Sequence, residues 1–297
     1  MTDARMRYFA NLHPAVSMFY FVAVIGFTLA CQHPIMCGIS LLGALLFSWR
    51  LRGRKAVAGT LRFVLPMFLL ISIANPLFNH RGVTMLFTME HQWVTLEAVA
   101  YGFVSATELS AMIFWFTCYQ EVMTSDKFLY LFGKAAPGAS LLITMTLRLI
   151  PELQEQGKTI SETHALIHGE DTRLFQKLGT ALRNLSTLLT WSMESSVETA
   201  DSMKARGYGL RRRSTFHLFH FDSRDARTLG AMGAMAGIVL IGRLFGHGYM
   251  EFYPRMETVI TGIPGVIMYA AFAALAFLPS ILEAKEAVRW RSYSLTS

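Results

Sequence analysis

Six apolar blocks decide what this chain can become. They run from about Leu12 to Ala30, Pro34 to Trp49, Ala56 to Pro76, Leu96 to Tyr119, Thr228 to Phe245 and Val259 to Leu282. A run of about 18 apolar residues is long enough to cross the hydrocarbon core of a bilayer as a helix. Charged residues make up only 16% of the chain, against roughly a quarter in soluble domains. The expected fold is therefore all-α: a polytopic membrane protein with about six transmembrane helices. The second block is the shortest. It is expected to be a tilted partner of the first, joined through the tight turn Cys31-Gln32-His33-Pro34. No cleavable leader is expected, since Arg5 and Arg7 precede a long span with no small-residue cleavage site after it.

Cationic residues orient these spans. Arg50, Arg52, Arg54 and Lys55 lie between the second and third blocks, and Lys285, Arg289 and Arg291 follow the sixth. Fourteen Lys and Arg fall between Glu121 and Arg227. The opposite side carries Arg81, Arg243 and Arg255. The positive-inside rule then places both termini and the long segment in the cytoplasm. Three regions follow: transmembrane helices 1–4 in 1–120, a cytoplasmic segment in 121–227, and helices 5–6 with a short tail in 228–297.

The cytoplasmic segment reads as long helices. Ser125 or Asp126 can cap a short helix that stops near Ala136-Pro137-Gly138. A longer helix begins near Ala139, with Leu142, Met145, Leu149 and Leu153 at helical spacing. Pro151 removes the bond its N–H would donate to Leu147, so a kink is expected there. A second long helix from about Arg173 to Arg206 carries the stripe Leu178, Leu182, Leu185, Leu189, Met193 and Val197. Gly207 can supply its left-handed cap. The two helices are expected to pair as arms held together by their apolar stripes.

Reactive constellations are absent from the sequence. It contains no Walker A loop, no HExxH zinc motif and no GxSxG elbow. The pairs His164/His168 and His217/His220 lack the further ligands of a metal site, and none is expected. Phe216, Phe219 and Phe221 beside the second pair suggest a segment at the bilayer surface. Cys31, Cys37 and Cys118 read as small buried hydrophobes. Glu97 lies near the end of its span. Glu108 lies deep in the fourth, where a carboxylate is a functional candidate; a hydroxyl of Ser105, Thr107 or Ser110 is the alternative reason for its place. Gly233 and Gly237 form a small-xxx-small pair that suggests close helix packing.

Two stretches resemble a known family. One runs from Met123-Thr124-Ser125-Asp126-Lys127-Phe128 to Leu149-Ile150-Pro151, with Arg148 and Pro151 forming an Arg-x-x-Pro element. The other is Glu198-Thr199-Ala200-Asp201-Ser202-Met203-Lys204-Ala205-Arg206-Gly207-Tyr208-Gly209. Together with Leu12-His13-Pro14 they resemble the transmembrane T subunit (EcfT/CbiQ-like) of energy-coupling factor (ECF) transporters, a vitamin and metal-ion uptake branch of ABC transporters. The resemblance implies a non-enzymatic scaffold in a bacterial or archaeal plasma (inner) membrane. Two cytoplasmic ABC-type ATPases would dock on long coupling helices and pass their motion to a membrane-embedded substrate-binding S subunit. This chain would bind no cofactor and no nucleic acid; ATP and Mg would sit on the ATPases. The coupling residues implied are Ala205, Arg206 and Gly207 at one tip and His168 and Gly169 at the other, with Arg148 and Pro151 at the hinge. The family carries an arginine at both tips, but Ala165-Leu166-Ile167-His168-Gly169 has none. Either His168 or Arg173 takes its place, or that tip packs by apolar contact. Two other classes remain: a membrane enzyme acting on lipid-linked substrates, which predicts paired acids or histidines at the boundary, and a stand-alone permease, which predicts internal repeats.

Overall fold

A computed structural model describes residues 9–79, 83–89, 92–133, 136–168, 174–210, 219–253 and 262–294. Among the described residues the regular structure is helical apart from one short pair of strands. In order come α1 (Pro14–Ala30), α2 (Pro34–Phe78), strands β1 (Met85–Met89) and β2 (Gln92–Thr95), α3 (Leu96–Val122), α4 (Ser125–Gly133), α5 (Pro137–His168), α6 (Leu174–Ala205), α7 (Ser223–Leu244) and α8 (Ile263–Ser294). Two compact units result: Met1–Phe128 with Phe219–Ser297, and Leu129–Leu218.

Helices α2, α3, α7 and α8 are each long and apolar enough to cross a membrane, and α1 is a shorter apolar helix. Such lengths and compositions are those of a membrane-embedded protein. The second and third apolar blocks lie on two helical limbs of α2 that meet at a kink, with no longer loop between them. Arg50, Arg52 and Lys55 are helical, and the break is confined to Gly53, at φ 80° and ψ 169°. Only glycine adopts such a conformation without steric cost, so a single residue bends the segment. After the bend, Phe63, Leu65, Leu69, Leu70 and Ile73 are exposed, as suits contact with lipid tails.

Both N-terminal helices open on His-Pro. The ring Nδ1 of His13 accepts from Ala15 N (3.2 Å) and that of His33 from Ile35 N (3.3 Å). Each proline takes the first helical position, where its missing N–H is not needed. Histidine here does the work usually given to Ser, Thr or Asp.

An aromatic cluster fills the first unit. Phe9 meets Tyr20 edge-on at 5.1 Å, and Trp115 meets Tyr20 at 5.9 Å. Its polar atoms are paired across helices: Trp115 Nε1 donates to Ser40 Oγ (2.9 Å), and Tyr20 OH to the Ala276 carbonyl (3.1 Å). Close helix approach occurs where side chains vanish. A Cβ on Gly102 would stand 3.0 Å from Asn75 Cβ and Ser72 O, and one on Gly242 only 2.7 Å from Met268 Sδ. The Gly233/Gly237 pair takes no part in this. A Cβ on either would meet nothing within 4 Å, so the tight packing expected of them is found at Gly242, on another face of α7.

Candidate functional site

The second unit holds the two long helices that carry the tip residues. α6 ends in a complete left-handed cap. Gly207 has φ 82°; its N–H donates to Lys204 O (2.9 Å), and Tyr208 N–H donates to Met203 O (3.0 Å). This pair of bonds is the Schellman motif, which satisfies carbonyls that a helix end leaves open. Arg206 therefore sits at the cap position, its N–H bonded to Ser202 O (3.1 Å) and its side chain exposed. Lys204 pairs with Asp201 at 3.6 Å one turn back, so that cation is already engaged in a surface pair, whereas Arg206 points its charge at solvent from the negative end of the helix dipole.

The partner tip is less completely seen. α5 continues to His168, while Gly169 and Arg173 lie outside the described residues, as does the His168 side chain. Leu166 and Ile167, just before it, are exposed. Pro151 lies inside α5, which stays helical on both sides, with exposed Arg148 one turn earlier.

The stripes do not hold the arms together as expected. On α6, Leu178, Leu182, Leu185, Leu189, Met193 and Val197 are 51–72% exposed. Among the partly buried residues, Thr180, Asn184, Leu188, Trp191 and Ser195 lie on roughly the opposite side at about 100° per residue, while Met203, at the end of the stripe, is partly buried as well. The helices meet where Gly157 of α5 faces Leu188, a Cβ there standing 3.7 Å from Leu188 Cδ2. Met145, Leu149 and Leu153 of α5 are partly buried, but Leu142 is exposed. Gly157 of α5 lets the helices approach on the α6 face of Asn184, Leu188, Trp191 and Ser195, which leaves most of the apolar stripe of α6 uncovered.

Two acids of the first unit are accounted for structurally. Glu108 on α3 is buried, and the Gln32 side chain of the α1–α2 turn is the polar group acting on it. Two of the three hydroxyls suggested by sequence bond elsewhere: Thr107 donates to Phe103 O and Ser110 to Ala106 O, at 2.8 and 2.7 Å. Helical back-bonding satisfies them before they can reach a carboxylate. Glu97, the second residue of α3, is buried. It accepts from Thr84 N (3.2 Å) and from the Thr84 hydroxyl, and so ties the residue before β1 to the start of α3.

Sequence reasoning missed two further buried acids. Asp225 accepts from Asp222 N (3.2 Å), completing a capping box on α7, and from His13 N (3.4 Å). The Asp-x-x-Asp spacing at the start of the fifth block was the available signal. Glu283 on α8 is buried, and neither carboxylate oxygen has a hydrogen-bond partner among the described residues. Arg50, whose guanidinium donates to Ser280 O at 2.8 Å, is the opposite charge acting on it. Glu283 lies one residue beyond where the sixth block seemed to end.

Lys127, on α4, bonds the carbonyls of Ala10 and Val122; burial pushes its ammonium below the usual lysine range. The three cysteines are buried and unlinked. Among the described residues no group of three His, Cys, Asp or Glu could hold a metal ion. No protein-family model matches the chain, and no curated protein matches it.

Proposed function

We propose that this chain is the transmembrane coupling subunit of an ECF-type importer, working as a scaffold with no catalysis of its own. In this reading six segments cross the bilayer: α1, the two limbs of α2 on either side of Gly53, α3, α7 and α8. Both termini and the 121–227 segment face the cytoplasm of a bacterial or archaeal cell. Two ATPases dock on the α5 and α6 tips, and a membrane-embedded S subunit carries the vitamin or metal ion.

The observation that carries the reading is the end of α6. An Ala-Arg-Gly sequence closes a 32-residue helix with a rigid Schellman cap and an exposed arginine. Small residues on either side let a partner's backbone come close, while the planar guanidinium can make several charge-assisted bonds to carboxylates or carbonyls. The uncovered stripe from Leu178 to Val197 adds an exposed apolar face of the kind that partner proteins cover. Purification of the tagged chain from its native membrane tests this. The scaffold reading predicts two ATPase subunits and one small membrane protein in the eluate; a chain that elutes alone and transports or catalyses by itself contradicts it.

A further inference from the structure

A cleft between α7 and α8 plays no part in the coupling reading. It encloses about 380 Å³. Arg224 and Arg227 from the first turns of α7 line it together with Lys285, which lies where the apolar stretch of α8 ends. Glu286 is the one acid of the lining. Ala231 lies one turn beyond Arg227 on α7, and on α8 Leu282 and Leu278 lie about one and two turns back from Lys285. The cleft thus grades along its length, from the cations Arg224, Arg227 and Lys285 at one end to Leu282, Leu278 and Ala231 beyond them. The described ion pairs, Lys158–Glu162 and Lys204–Asp201, involve none of these cations. Arg227 uses its Nε on Ser223 O (3.3 Å), which leaves its terminal amines for a ligand.

We infer that this cleft holds the phosphate headgroup of an anionic phospholipid, its acyl chains lying against Leu282 and Leu278. The inference rests on the membrane reading, which sets the basic end of α7 and α8 in the cytoplasmic headgroup layer. Net charge selects an anion there. The apolar end selects a lipid over free phosphate, because an inorganic ion would leave it wet. It also disfavours an acidic protein segment, because it lies on helices of membrane-spanning composition.

The test is native mass spectrometry of the full chain released from nanodiscs. Phosphatidylglycerol should be retained in preference to phosphatidylcholine. Arg224→Gln, Arg227→Gln and Lys285→Gln should each weaken retention about fivefold, and the three together about 100-fold. Leu282→Trp, which fills the apolar end and keeps every charge, should also lower it. Equal retention by parent and triple variant would overturn the site, as would displacement of lipid by millimolar inorganic phosphate. The single variants decide the matter if the triple variant does not fold. Extraction of the parent chain from membranes by alkaline carbonate would instead sink the membrane reading underneath.

Discussion

Replacing Gly207 by alanine tests the geometry on which the α6 tip depends. At φ 82° a residue bearing a Cβ is strained by about 1–2 kcal/mol. The added Cβ would also stand 3.0 Å from Leu210 Cδ1, the end of an exposed, flexible side chain that can turn away. The backbone term therefore decides the outcome. With 1–2 kcal/mol lost locally, the population in which the last turn is open should rise about 5–30-fold. Two amides report it directly, those of Gly207 and Tyr208, bonded to Lys204 O and Met203 O at 2.9 and 3.0 Å. Hydrogen–deuterium exchange of the peptide spanning residues 203–210 should speed up by that factor in Gly207→Ala, while exchange in α3 and α8 stays unchanged. Gly207→Asn should show a smaller rise, since asparagine tolerates the left-handed region better. Unchanged exchange in the alanine variant would show that the cap does not hold the tip.

Three further outcomes follow from the packing. Glu108→Leu removes the buried acceptor that acts with the partly buried Gln32 side chain and should cost about 1 kcal/mol in thermal stability; Glu108→Gln, which keeps a carbonyl acceptor, should cost clearly less, and equal losses would show that the acceptor is unimportant. Gly242→Ala drives a methyl into Met268 and should destabilise by about 1–3 kcal/mol, whereas Gly233→Ala should be nearly silent; thermal melts in detergent with the opposite ranking would refute the packing described. Lys127→Met leaves the Ala10 and Val122 carbonyls without their donor and should lower the melting midpoint more than Lys158→Met, whose partner is an exposed Glu162.

Much of this architecture is legible in the sequence because periodicity and punctuation are local. Apolar blocks, the His-Pro starts of α1 and α2, and the glycine after Arg206 each report a backbone requirement at their own position. What stayed hidden depends on distant partners. Nothing local says that the break between the two limbs of α2 is confined to Gly53, since a glycine between arginines also reads as a loop. The β1–β2 hairpin escapes notice between two long helices, although Thr84 and Glu97 fix its base. The α6 stripe misled because hydrophobicity marks a face that wants cover without saying what covers it; close approach to α5 went to the face of Asn184, Leu188, Trp191 and Ser195. Gly233 and Gly237 misled in the same way. Glu283 went unseen because a carboxylate at the end of an apolar run reads as a boundary, and only tertiary structure shows it buried.

The most direct test of the coupling account is the retention of ATPases by an Arg206→Glu variant in purified complexes. As a helix-end cation alone, Arg206 would contribute about 0.3–1 kcal/mol to α6. As an interface contact, its loss should cost about 2–5 kcal/mol, mostly through faster dissociation. The account predicts a chain that is folded and membrane-inserted yet loses an ATPase or uncouples hydrolysis from uptake in proteoliposomes, with Arg206→Lys only partly restoring both. Retention and uptake at the parent level in the Glu variant would contradict it.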